Sequence, residues 1–296
     1  MSLTEIGNFK ASNSEPRLLS QAAQEFLSQV QNILRGFDRD NWLKTGFRDF
    51  DTSFGGLRLG RVTTLASAPS MGRSALALNI ASNVAIAGKL PTLYLSLEMS
   101  VEKMAARILG QLAEIEVHNL YNGQVDLAHD QMLGMAIERI KIAPLSLQHC
   151  PYVGVDEICL AVKDFRKNQS LTLVIIDDLS YVDLGVTEGG AISQYEKAMK
   201  SFRQLAGELN VAILLVSSLN RDLEDRKNKL PRFSDLPSVA IARQSDMLLF
   251  LYRDEIYSLE GDDPRRAELI VARNDFGSTG SAYLKTELQY GRFLNY

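Results

Sequence analysis

Residues 62–78, Val62-Thr63-Thr64-Leu65-Ala66-Ser67-Ala68-Pro69-Ser70-Met71-Gly72-Arg73-Ser74-Ala75-Leu76-Ala77-Leu78, decide how this chain folds. Val62–Ala66 is an apolar run of strand length, Ser67–Ser74 is a loop of mostly small residues, and Ser74–Ala87 is an apolar-rich helical stretch. A strand, a loop whose N–H groups wrap phosphate, a cation, and a Ser or Thr that opens a helix make up the Walker A arrangement. Gly72 fits it, and so does Ser74, whose hydroxyl suits Mg²⁺. Ser67 stands at the first glycine position and Arg73 at the lysine position. Taken alone, the segment is read equally well as an ordinary strand–turn–helix.

Outward from the loop, Thr92–Ser96, Leu145–Gln148, Leu171–Ile176 and Val211–Ser217 read as strands. Ser100–Ala113, Leu127–Ile142, Asp156–Lys167 and Ile192–Leu209 read as helices among them. Continuous Val/Ile/Leu strands separated by helices imply an α/β fold, a mostly parallel sheet with helices on both faces. Beyond residue 245 only strands follow: Met247–Tyr252, Ala267–Ala272 and Ser281–Leu288, the last two joined by a turn at Gly277–Gly280. The C-terminal ends of parallel strands line the ligand crevice. Glu98 lies just past the strand Thr92–Ser96, and Asp177 follows the buried run Leu173–Ile176. Ser74, Glu98 and Asp177 are therefore expected to converge on the loop. A hydroxyl and two carboxylates beside a phosphate loop make a constellation for Mg²⁺ and for activating water. Three segments meeting in this way favour a nucleotide site over the plain strand–turn–helix.

The chain has 296 residues, 46% apolar and 23% charged, which suits one large α/β domain with a short extension. A net charge of −4 argues against a general polyanion-coating protein and leaves room for a locally basic channel. Cys150 and Cys159 have no metal spacing and no disulfide framework, so a reducing, cytoplasmic location is expected. No apolar run reaches membrane-spanning length. Residues 1–16 are polar and read as a disordered tail. Over residues 17–36, Leu18, Leu19, Ala22, Ala23, Phe26, Leu27, Val30, Ile33 and Leu34 form one apolar stripe of a helix, with Ser14 and Pro16 at its start and Gly36 at its end. That stripe packs either on its own domain or on a neighbouring subunit.

Several further segments share one resemblance. Lys44-Thr45-Gly46-Phe47, Gly55-Gly56-Leu57, Ala68-Pro69-Ser70-Met71-Gly72 and Ser96-Leu97-Glu98-Met99 are similar to successive motifs of the DnaB family of replicative DNA helicases. So are Leu205-Ala206 with Glu208-Leu209-Asn210-Val211, Ser218-Leu219-Asn220-Arg221, Ser234-Asp235-Leu236, Tyr252-Arg253-Asp254-Glu255 and Gly291-Arg292-Phe293. The resemblance implies a RecA-like P-loop NTPase domain over residues 42–296, with ATP and Mg²⁺ as cofactors. It also implies a homo-oligomer, a hexameric ring, or assembly with related helicase subunits, and single-stranded DNA in the channel. The helix at 17–36 then corresponds to the family's linker helix, which docks on the adjacent subunit, and the family's separate N-terminal helical domain is expected to be missing.

Carried over residue by residue, Ala68, Pro69, Ser70, Met71, Gly72, Arg73 and Ser74 bind the nucleotide. Ser74 and Asp177 hold Mg²⁺, and Glu98 polarises the attacking water. Four departures stand out. Arg73, a planar fork, replaces a point-charge lysine. Ser218 replaces a γ-phosphate-sensing Gln. The Lys and Arg that reach the neighbour's site become Arg273 and Asp275, which leaves Arg273 as the trans-acting cation. The phosphate-holding Arg-Glu-Ser-Gly stretch of the DNA loop becomes Pro237–Gln244, with Arg243 as its candidate DNA contact. Two classes stay open: a working DNA-stimulated ATPase and helicase motor, or a weakened or inactive relative acting as a structural or regulatory subunit. The departures favour impaired hydrolysis.

Overall fold

The computed structural model describes residues 18–34, 41–185, 190–257 and 263–296. The tail expected over residues 1–16, and Ser14, Pro16 and Gly36 at the ends of the first helix, lie outside the described residues. Helix α1 (Leu19–Leu34) belongs to one compact unit, and residues 42–296 form a second. No helix among the described residues is long and apolar enough to cross a membrane.

The second unit opens with β1 (Trp42–Leu43), α2 (Arg48–Phe54) and β2 (Leu57–Arg58), the two short strands pairing antiparallel. Then follow β3 (Val62–Ser67), α3 (Arg73–Ser82), β4 (Thr92–Ser96), α4 (Val101–Ala113), α5 (Val117–Asn122), α6 (Leu127–Lys141) and β5 (Leu145–His149). The chain continues through α7 (Val155–Asn168), β6 (Leu173–Asp177), α8 (Gly190–Leu209), β7 (Ala212–Ser218), α9 (Val239–Gln244) and β8 (Met247–Tyr252). It ends in β9 (Arg266–Asn274), β10 (Gly280–Glu287) and β11 (Arg292–Asn295). Nine strands form one sheet in the order β11-β10-β9-β8-β3-β7-β6-β4-β5. Pairing is parallel from β5 across to β8 and antiparallel from β8 to β11. This is the α/β architecture expected from the sequence, with α2, α5, α9 and β11 added.

Successive residues of a strand point to opposite faces, so a strand covered on both sides reads as continuously apolar. On one face Leu65, Tyr94, Ile175 and Leu214 pack with Phe50 of α2, Leu76 and Ile80 of α3 and Met104 of α4. On the other, Val62, Leu93, Val174 and Leu215 pack with Ile158 and Val162 of α7 and Met199, Phe202 and Leu205 of α8. Each such large side chain contributes about 1.5–3 kcal/mol when fully buried. β9 and β10 bury alternate residues only, so their sequences show period two.

Two asparagines tie α3 to its surroundings. Asn79 Oδ1 accepts the Phe293 N–H at 2.6 Å, and Asn83 Nδ2 donates to the Thr45 carbonyl at 3.0 Å. The last strand and the segment before β2 are thereby fixed to the helix that follows the phosphate loop.

Candidate active site

The loop leaves the C-terminal end of β3, the strand between β7 and β8, and runs straight into α3. Ser70 and Gly72 have φ of 64° and 94°. A Cβ on Gly72 would stand 3.1 Å from Phe293 Cζ and 3.4 Å from Leu288 Cδ1, so glycine is required by the backbone and by the space. As the N-cap of α3, Gly72 offers its first-turn N–H groups no side-chain acceptor, and such groups are the donors a phosphate takes up. Arg253 Nη1 donates to the Ser70 carbonyl at 3.2 Å and braces the loop from the end of β8.

Pro69, Ser70, Gly72, Arg73 and Ser74 line a cavity of about 450 Å³ together with Glu98, Arg107, Tyr181, Ser218 and Arg221. Ala68 and Met71 instead turn into the core. Asp177 sits opposite Ser96 in the β6–β4 pairing, and its carboxylate is buried behind the loop. Ser74 Oγ donates to Asp177 Oδ1 at 3.1 Å, and the Tyr94 hydroxyl donates to Oδ2 at 2.6 Å. Burial raises the Asp177 pKa to about 6, and the Asp178 charge adds to the rise, while the Tyr94 and Ser74 hydrogen bonds oppose it. Burial, together with the Asp177 charge, pushes the Tyr94 phenol well above its ordinary value, so it remains a donor. Glu98 is exposed at the cavity, close enough that its charge raises the Tyr181 phenol.

Asp178 is fully buried. Its Oδ2 accepts Arg73 Nε at 3.0 Å, Arg73 Nη2 at 2.6 Å and Ser218 Oγ at 3.0 Å, and its Oδ1 accepts the Ser180 N–H at 2.9 Å. Arg73 Nη2 also donates to Ser218 Oγ at 2.7 Å. The two remaining sequence candidates lie away from the cavity lining. Arg243 is exposed on α9. Arg273, on β9, pairs with Asp275 at 2.8 Å and donates to the carbonyls of Ala242 and Arg243 at 2.7 and 3.1 Å.

The structure therefore joins Ser74, Asp177, Glu98, Gly72 and Arg73 at one site and leaves Arg243 and Arg273 outside it. Sequence reasoning missed Tyr94, Arg107 and Tyr181, and gave Asp178 and Arg221 no role. Tyr94 was within reach, two residues before Ser96 and so on the same strand face. For Arg107 no spacing signal existed.

A mostly parallel sheet whose central strand opens into this loop, with a hydroxyl and a carboxylate paired behind it, defines the class: a RecA-like P-loop domain. The family model for the DnaB-like helicase C terminal domain matches residues 42–295. A probable replicative DNA helicase of Trieres chinensis is 32% identical over 260 residues, which are 86% of this chain and 57% of that protein. The replicative DNA helicase DnaB of Leifsonia xyli subsp. xyli is 33% identical over 254 residues, 85% of this chain and 55% of the relative. Among solved structures, one of an isolated ATPase domain superposes with a TM-score of 0.85 at 25% identity, covering 95% of this chain and 100% of that one. A DnaB-like replicative helicase, described with its interactions with primase, also gives 0.85 at 25% identity, covering 96% of this chain and 68% of that one. The chain belongs to the DnaB-like helicase C-terminal domain family. It spans somewhat more than half the length of the curated relatives it matches.

Proposed function

We propose that this chain binds ATP and Mg²⁺ beside residues 67–74 as the motor domain of a DnaB-like helicase assembly, and hydrolyses ATP slowly. The observation that carries this reading is the Ser74–Asp177 hydrogen bond at 3.1 Å behind a cavity that Glu98 also lines. The donor set suits the ion. Among the described residues no cluster of three or more His, Cys, Asp or Glu could hold a metal unaided. One hydroxyl and one carboxylate match Mg²⁺, which takes hard oxygen ligands and completes its shell with phosphate and water. Bound there, the ion supplies neutralisation of phosphate charge. Ser74 and Asp177 hold it, Tyr94 orients Asp177, the loop N–H groups hold the phosphates, and Glu98 accepts a proton or hydrogen bond from the attacking water.

Slow turnover is supported by how the chain's cations are used. Arg273 is paired with Asp275, whereas a finger must present its guanidinium to the neighbour's phosphates. The same pair favours the second reading, a regulatory or structural subunit that binds nucleotide without driving a motor cycle. Assembly into a ring, or with related helicase subunits, is supported by two apolar faces. α1 carries one, and α6 carries the other, with Leu127 90%, Met135 65% and Ile142 74% exposed. Arg243, exposed on α9, is the proposed contact to single-stranded DNA, and the cytoplasm is the proposed location.

Equilibrium titration of ATP with and without Mg²⁺ tests the site. Ser74→Ala and Asp177→Asn should each weaken Mg²⁺-dependent binding about 10- to 100-fold. ATP binding indifferent to both substitutions would overturn the proposal.

A further inference from the structure

The geometry points to Asp178, backed by Ser218, as the positioning residue that makes arginine, not lysine, the cation this phosphate loop requires. The inference rests on the nucleotide-site reading above and concerns how that site meets phosphate. Asp178 is completely buried, and Arg73 is its one ion-pair partner among the described residues. Withdrawing Arg73 would leave a buried carboxylate uncompensated, which is strongly unfavourable. Arg73 therefore stays on Asp178 whether or not phosphate arrives.

A guanidinium can do both jobs, because its five donors sit in a rigid fork with separate edges. Nε and Nη2 are engaged with Asp178, and Nη2 also with Ser218. Nη1 makes no hydrogen bond among the described residues, and Arg73 lines the cavity with its side chain 15% exposed. The held edge fixes the fork, and Nη1 is left for a phosphate oxygen. A lysine offers one nitrogen with its donors clustered at a point. Asp178 and Ser218 would draw that nitrogen onto themselves and leave less of it for phosphate. Read this way, the departure at position 73 is matched to its neighbours instead of being a damaged lysine.

The test is calorimetric titration of Mg²⁺·ATP into the full chain, the Arg73→Lys variant and the Arg73→Lys/Asp178→Asn double variant, each first shown to be folded by its melting curve. Arg73→Lys should weaken binding tenfold or more, and adding Asp178→Asn should recover most of that loss by releasing the lysine. A merely structural Asp178 would give no such recovery. Binding by Arg73→Lys equal to that of the unmodified chain, or no recovery in the double variant, overturns the inference and leaves the nucleotide site standing. No Mg²⁺·ATP binding by the unmodified chain overturns both. Where Arg73→Lys alone does not fold, the double variant decides: affinity within threefold of the unmodified chain supports the inference, and a tenfold loss overturns it.

Discussion

Replacing Tyr94 by Phe removes a single hydroxyl from a fully buried side chain and probes the support of the site without touching the cavity lining. That hydroxyl donates to Asp177 Oδ2 at 2.6 Å, while Ser74 occupies Oδ1. The ring volume is kept, so no cavity term arises. What is lost is one hydrogen bond to a buried charged group, about 1.5–3 kcal/mol. For a domain of this size each kcal/mol moves the melting temperature by about 2–4 °C, so a fall of roughly 3–12 °C is expected. Loss of a partner that orients a metal ligand should also weaken Mg²⁺-dependent ATP binding about 10- to 100-fold. Urea unfolding at constant slope measures the first effect, and Mg²⁺ titration at fixed ATP measures the second. An unchanged urea midpoint together with unchanged Mg²⁺ dependence would refute the claim that the phenol holds Asp177 in place.

Glu98→Gln should lower ATP turnover by about 10²- to 10⁴-fold with ATP affinity kept within about threefold, as expected for loss of a general base and read by steady-state and binding assays in parallel. Gly72→Ala should cost about 1–2 kcal/mol for the left-handed backbone alone, with a further loss from the crowded Phe293 ring, and thermal melting reads both. Deleting residues 1–36 should leave a folded protein that loses its oligomers in light scattering. An unchanged number of subunits per particle, with a lower melting temperature, would instead assign the helix to its own core.

The parallel half of the sheet was legible because its strands are buried on both faces, and Leu173-Val174-Ile175-Ile176 admits little else. The crevice followed from topology, since Ser74, Glu98 and Asp177 each stand just beyond a strand end. α9 was not legible: Val239–Gln244 is a single short helix inside a stretch compared only with a DNA loop, yet Ala240 and Ile241 are buried there. β11 is four residues long and depends on pairing with β10, which lies outside any local pattern. The Arg73–Asp178–Ser218 cluster joins residues 105 and 40 positions apart, so each of its members reads alone as a substitution. Arg273 looked available until its neighbour Asp275 was seen to hold it.

Steady-state ATP turnover by the unmodified chain, with and without single-stranded DNA, addresses the central claim most directly. A paired Arg273 and a phosphate-loop cation held on Asp178 lead us to expect turnover well below about 1 per second, with little stimulation by DNA. Turnover on the order of 1–100 per second, raised further by single-stranded DNA, would contradict it and mark the chain as a working motor.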